Sequence, residues 1–595
     1  MRNQRIRLYT LAALVGVISG VTAIAFRGLI LVVSLVFVSL PVYLGSWGWL
    51  IAPAIGGLLV SIIVKRFAHE AKGHGVPELI DAYALRGGMI RARVPLLKSL
   101  ASAICIGSGG SCGREGPIAQ IGGGAGSALA SFLGLNRRMT KTLLVCGTAS
   151  GIAATFNAPL GGALFGIEIV AGGIAGFPIV PIILSSVIAT ALADAVLGTQ
   201  PSFQAPLFYL DNYMELAFYL TLGLILGIMS VLWSRGFYQI EDILERMKGS
   251  KHALTAFGGL LVGALALLAL NIEAAFGYTG VMKPGEPYFP AIMGVGYAFV
   301  DATLLGLVGV SVLVMFGLLK FFATSITLGS GGSGGVFAPT LFIGAAFGGA
   351  FGLVINIAFP EIVSQPMAYA LVGMAALFAG SGRAPITCIV MLMEMTNDYS
   401  LILPLMAAVS MSYLVSSSIE VESIYTLKLA RRGIDIKRSQ YVGALREVKA
   451  SQVMTASPTI LKPDMTVPQV LRIVDDTHHT KFPVVDSDNK IVGTLITENL
   501  FGGPEGGCPE CLVRDLMNVE VLIVSSEATM DSVLHGMLER DEGHAVVVDP
   551  LKPERMIGFL TKADVLSAYE LAILRLREDG EDVHEIDPLD MIAFR

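Results

Sequence analysis

The sequence predicts an all-α polytopic membrane domain with an inverted internal repeat of broken helices, followed by a smaller cytoplasmic α/β module. Three observations carry this expectation. The chain of 595 residues is 54% hydrophobic and only 15% charged, with a mean hydropathy of +0.69, a balance that soluble globular domains rarely carry. Long apolar runs alternate with short polar breaks from residue 8 to about 430, where charge rises at Lys428, Arg431, Arg432, Lys437 and Arg438. Within the apolar part the chain matches itself: GSGGSCGREGPIAQIG at 107–122 aligns with GSGGSGGVFAPTLFIG at 329–344, an offset of 222.

Taken in order, the N-terminus has a basic start and an apolar run, MRNQRIRLYTLAALVGVISGVTAIAF, that resembles a signal peptide. It reads better as a retained first helix, because the apolar pattern continues through Arg27 without a cleavage-site context. Arg2, Arg5 and Arg7 then place the N-terminus in the cytoplasm. The repeat recurs further on, where NAPLGGALFGIE ending at Glu168 aligns with RAPITCIVMLME ending at Glu394, at an offset of 226. The basic cluster near 430 marks a cytoplasmic exit, so the number of full crossings is even. Two homologous halves, about 1–235 and 250–430, then each cross an odd number of times and are inverted relative to each other, a transporter architecture. A linker at 431–446 leads to a second repeat at 447–505 and 511–573, and an acidic tail at 574–595 ends the chain. Each copy of this second repeat reads helix, strand, helix, strand, strand, helix.

Composition excludes several functions. A net charge of -6 with no long basic stretch leaves no footprint for nucleic acid. Cys105, Cys112, Cys146 and Cys388 lie in apolar or Gly-rich membrane segments, so the six cysteines are not a disulfide framework. Cys508-Pro-Glu-Cys511 has one metal-type knuckle and no second pair, and reads as a loop. Gly329 to Gly334 satisfies G-x-G-x-x-G without a βαβ unit, and no Walker lysine follows either Gly-rich turn. An enzyme, a resident metal and a required cofactor are not expected. His478 and His479 are expected on a solvated surface.

The 68 glycines suit helices packed through small faces and broken at membrane depth. Each Gly-rich turn opens a helix, and converging helix N-termini inside a membrane bind an anion without a full cation. Gly113-Arg114-Glu115-Gly116-Pro117 and Gly335-Val336-Phe337-Ala338-Pro339, together with Gly73-His74-Gly75-Val76-Pro77-Glu78, resemble the three anion-site motifs of the CLC chloride channel and transporter family. NAPLGG, MEMTNDYSLILP and the tyrosine of IYTLKLA follow in family order. The resemblance implies chloride and protons as transported ions, a homodimer with one pathway per subunit in the cell membrane, and an anion site at His74, Gly75, Gly113, Arg114, Gly116, Gly335, Val336, Phe337, Ala338 and Tyr425. It also implies that Glu115 is the gating glutamate, a carboxylate that competes with the anion and takes up a proton; an ionisable residue at membrane depth is functional by default.

Two departures bear on mechanism. His74 stands where the family usually places serine; a neutral His donates one hydrogen bond, a protonated one binds anions more tightly, and a side chain turned away leaves the ion to backbone N–H groups. Ile169 follows Glu168 where many exchangers of the family carry a second glutamate for protons. The main expectation is therefore a voltage- or proton-gated chloride channel, and the alternative is a chloride/proton exchanger whose proton path avoids a second glutamate. Glu168 and Glu394 are expected to be structural carboxylates. Retention of GREGP and GVFAP argues against the family's fluoride-exporting branch.

The soluble repeat resembles a tandem pair of CBS domains. The family's nucleotide pattern fits Thr561 and Asp564, whereas Thr497 is followed three residues later by Leu500. At most one adenine-nucleotide site (ATP, ADP or AMP) per chain is expected, and a purely structural module is the other reading.

Overall fold

The computed structural model describes residues 2–434 apart from 174–177, 200–201, 248–249 and 278–286, then Leu445, and residues 448–578 apart from 489 and 501–509. Most of the expected linker, with Lys437 and Arg438, as well as Cys508 and residues 579–595 of the acidic tail, lie outside these. The chain divides into two compact units, Met1–Ile436 and Lys437–Arg595.

The first unit is helical throughout. Among the described residues eight helices are long and apolar enough to cross a membrane: Ile6–Leu44, Ser46–Arg66, Ile179–Leu197, Glu215–Arg246, His252–Phe276, Val310–Gly329, Phe337–Ala358 and Ile402–Ile419. Shorter apolar helices such as Pro159–Phe165 and Pro385–Thr396 lie between them. Such irregular backbone survives at membrane depth only where protein satisfies its polar groups, and here the two halves satisfy each other. Glu394 accepts from the backbone N–H groups of Leu160 (3.0 Å) and Gly161 (2.7 Å), at the start of Pro159–Phe165. In return Glu168 accepts from the N–H of Thr387 (2.7 Å), its hydroxyl (2.6 Å) and the N–H of Ile386 (3.3 Å), at the start of Pro385–Thr396. Both carboxylates are the structural caps expected of them, each closing a helix of the opposite half. The turns before these helices match as well, since Asn157 and Arg383 both sit in the left-handed region, with φ of 55° and 61°.

Close packing repeats at two crossings. The backbones of Gly122 and Gly147 touch so closely that a Cβ on either would overlap the other's carbonyl, and Gly344 and Gly373 do the same in the second half.

In the second unit, strands β1 (Lys481–Val485) and β2 (Ile491–Ile496) pair antiparallel. Strand β3 (Ile523–Ser525) runs parallel to β4 (His544–Asp549), which pairs antiparallel with β5 (Lys552–Thr561). The amphipathic helices Val467–Thr477 and Met530–Glu539 bury Val470, Val533 and Met537 against these sheets. The two copies differ at their ends. The expected first strand of copy one is a single bridge, Leu461 to Val484, and its expected final helix is one 3-10 turn, Thr497–Leu500. The sequence that follows, FGGPEGG, is a poor helix former. Copy two instead ends in the full helix Lys562–Glu578.

Candidate functional site

Three Gly-rich loops from distant parts of the sequence meet in the first unit. Gly113 and Gly335 exchange both backbone hydrogen bonds, at 2.8 and 2.6 Å. The N–H of Gly73 donates to the Gly332 carbonyl (3.0 Å), and that of Gly334 donates to the Gly73 carbonyl (3.2 Å). Gly75, at a φ of 81° that only glycine takes freely, opens helix Val76–Leu85. Arg114 and Val336 open Glu115–Phe132 and Phe337–Ala358. A Cβ on Gly116 would overlap the His74 carbonyl and lie 3.2 Å from the Gly335 Cα, so the three helix starts converge. Positive partial charge from all three is thereby concentrated in one buried place.

Glu115 is fully buried and its carboxylate occupies that place. Oε2 lies 3.4 Å from the Ala338 N–H, at the start of Phe337–Ala358, while Oε1 accepts a 2.7 Å hydrogen bond from the Tyr297 hydroxyl. Phe337 is buried and packs its ring against Phe156 at 5.2 Å and, edge-on, against Phe378 at 4.5 Å. Tyr425 is buried too, its ring centroid 5.8 Å from that of His74. Ile169 sits buried in a single π turn, Gly166–Val170, with no polar atom in its side chain to carry a proton.

His74 is buried, and its hydrogen bonds assign its tautomer. Tyr238 donates its one hydroxyl proton to the Ile424 carbonyl at 2.6 Å, so the 3.1 Å contact between Tyr238 Oη and His74 Nε2 has the imidazole as donor. Nδ1 then carries a bare lone pair, buried and without a hydrogen-bond partner among the described residues. Tyr238 also lines a cavity of about 350 Å³ with Lys72, Glu241, Glu245, Lys428 and Arg432.

Sequence reasoning missed two buried lysines. Lys98 donates to the carbonyls of Ala71 (3.1 Å) and Gly73 (2.6 Å), and Lys320 donates to those of Ile292 (3.0 Å) and Gly294 (2.9 Å). Both side chains are fully buried and both stand nine residues before a GSGG turn, so the offset of 222 that revealed the repeat also pairs them. Their loops correspond as well: Gly73-His74-Gly75 matches Gly294-Val295-Gly296, with positive φ at all four glycines. The second of these loops delivers Tyr297.

The family pattern described as "Voltage gated chloride channel" matches residues 56–417, more than half of the chain. The chain belongs to the CLC family. Two CBS domains match at 450–501 and 513–571. Among curated CLC relatives, "H(+)/Cl(-) exchange transporter ClcA" of Vibrio cholerae serotype O1 is 33% identical over 442 residues, 71% of this chain and 88% of its own. "Putative chloride channel protein ClcB-like" of Ralstonia nicotianae is 32% identical over 66% of this chain and 88% of its own, and "Chloride channel protein CLC-f" of Arabidopsis thaliana is 35% identical over 62% and 47%. Two solved structures share the fold: a slow cyanobacterial Cl-/H+ antiporter (TM-score 0.63, 24% identity, 72% of this chain and 98% of that one) and a eukaryotic CLC transporter (0.61, 20%, 95% and 99%).

In the soluble unit of this CLC protein, Asp564 accepts from both the N–H (2.7 Å) and the hydroxyl (2.8 Å) of Thr561, so the two residues expected to hold a nucleotide form the cap of helix Lys562–Glu578. Leu500, the residue in the equivalent place of copy one, is buried. His478 and His479 are exposed, as expected, and no group of three metal-ligating side chains occurs among the described residues.

Proposed function

We propose that this CLC protein exchanges chloride for protons, with Glu115 as the gate both ions must pass. The observation that carries the reading is the Glu115 carboxylate seated at the start of helix Phe337–Ala358, among three converging helix N-termini. An anionic side chain there stands in for a bound anion. Protonation removes its charge and its claim on the site, so the passage of an anion is linked to the uptake of a proton.

Two points support exchange over the channel expected from Ile169. The relatives named as exchangers match over most of both chains. In addition, the pair His74 and Tyr238 offers polar atoms between the loops and the charged cavity, a way for protons that avoids Ile169. The channel remains the second reading, favoured by Ile169 itself. The homodimer, the cell membrane and one adenine-nucleotide site at Thr561 and Asp564 belong to the same proposal and rest on the family resemblance, while the cytoplasmic N-terminus and CBS module rest on Arg2, Arg5 and Arg7 and the basic cluster near 430.

The test is chloride flux from liposomes holding the purified protein, with internal pH recorded. Under exchange, a chloride gradient drives protons uphill, and Glu115→Gln abolishes the proton movement. Chloride flux without coupled protons establishes the channel, and no anion flux overturns both readings.

A further inference from the structure

Tyr297 has no counterpart among the residues expected from the motifs, yet it makes the shortest hydrogen bond to the gate. Its hydroxyl lies 2.7 Å from Glu115 Oε1, in the range of charge-assisted bonds, whereas the Ala338 N–H at 3.4 Å lies beyond the usual 2.7–3.2 Å. The ring is held from two sides: Phe203 packs edge-on at 5.0 Å, and the Arg114 guanidinium lies over it at 5.6 Å. Gly296, at a φ of 85°, starts the helix Tyr297–Leu304 and orients the residue.

We infer that Tyr297 is a positioning residue for the gate: its phenol favours the charged, seated form of the Glu115 carboxylate, and so shifts the pH at which the gate releases. The inference rests on the reading of Glu115 as the gate. A phenol that donates favours the charged carboxylate over the neutral acid. The other charged or titratable groups facing Glu115 are Arg114 beside it, Lys320 from helix Val310–Gly329, Tyr425 before helix Thr426–Arg431, and Asp301 beyond Tyr297. None of them changes in Tyr297→Phe, which keeps the ring and removes only the donor.

The experiment follows the Glu115 carboxyl by pH-difference infrared spectroscopy on the full-length protein, with Glu115→Gln identifying its band. In Tyr297→Phe the titration midpoint is expected to rise by about one pH unit, from the worth of one hydrogen bond to a charged group. The pH profile of chloride flux moves alkaline with it, and in a Glu115→Gln background the substitution leaves that profile unmoved. Should Tyr297→Phe fail to fold, a difluorinated tyrosine at 297, a stronger donor, moves the midpoint in the acid direction. An unshifted band in a folded variant overturns the assignment. A shifted band with an unmoved flux profile leaves the contact standing and sinks the gate reading instead.

Discussion

A bare nitrogen at position 74 distinguishes this site from one built on a serine hydroxyl. Neutral His74 spends its only N–H on Tyr238, so to an anion bound beside it Nδ1 would present a lone pair unless it gains a proton. Burial first, and then the charges of Lys428, Lys98 and Arg432, oppose a positive charge on the ring, whereas an anion beside it offsets that opposition. Tyr238 and Tyr425 face it as neutral phenols. Chloride binding is therefore expected to strengthen several-fold on acidification, with proton uptake. Calorimetric titration of chloride checks this, in a Glu115→Gln background so that the gate does not contribute. His74→Ser should flatten the dependence; an unchanged slope means that the imidazole faces away from the ion. The sequence marked position 74 through its motif, but the free nitrogen depends on Tyr238, which no motif places beside it.

At the scale of helices and loops, the two lysines act as matched clamps. Each holds two carbonyls of a loop that opens a short helix, and each does so without a carboxylate in the bond. Lys98→Met keeps the apolar stem and leaves each carbonyl with a single donor, Ser333 on Ala71 at 2.7 Å and the Gly334 N–H on Gly73 at 3.2 Å. Loss of about 1–3 kcal/mol is expected for the two hydrogen bonds given up, read as a lower unfolding temperature of the purified protein. Lys320→Met should cost at least as much and, by loosening the loop before Tyr297, also disturb the Glu115 band. Equal stability of either variant and wild type would remove the clamp argument. These lysines were legible in principle, since each is a lone charge in an apolar run at the repeat offset. Averaged hydropathy hides them, and a three-residue match such as GHG with GVG is too short to notice until both loops are seen to be held alike.

For the molecule as a whole, the repeat, the helical membrane unit and the paired soluble domains were legible because each rests on many residues. The short ends of the first soluble copy were not, because one Gly- and Pro-rich segment outweighs the helical pattern before it. Stability of the soluble unit should depend on pH through His544, which is buried on β4 with Nε2 3.2 Å from the Thr494 hydroxyl. Burial, reinforced by the Lys481 charge, holds its pKa below the usual value of about 6.5. The unfolded chain then binds the proton first, so the stability is present above about pH 6.5 and is lost as pH falls towards the folded pKa. Thermal unfolding of wild type and His544→Gln across pH 5–8 checks this, with a shallower acid loss expected in the variant.

The bonds that join Gly113 to Gly335 also impose a timetable on biosynthesis. The amide and carbonyl of Gly113 leave the ribosome 222 residues before their partners exist. At about 5–20 residues per second, the wait is on the order of ten to forty seconds. Glu168 waits as long for the N–H of Thr387, and the Leu160 and Gly161 amides wait for Glu394. A nascent first half therefore waits with its helix starts uncapped and with Glu115 lacking the Ala338 N–H. Ribosome stalling or truncation before residue 335 leaves the Gly113 loop without its partner, and the three helix starts can converge only once the second half has been made.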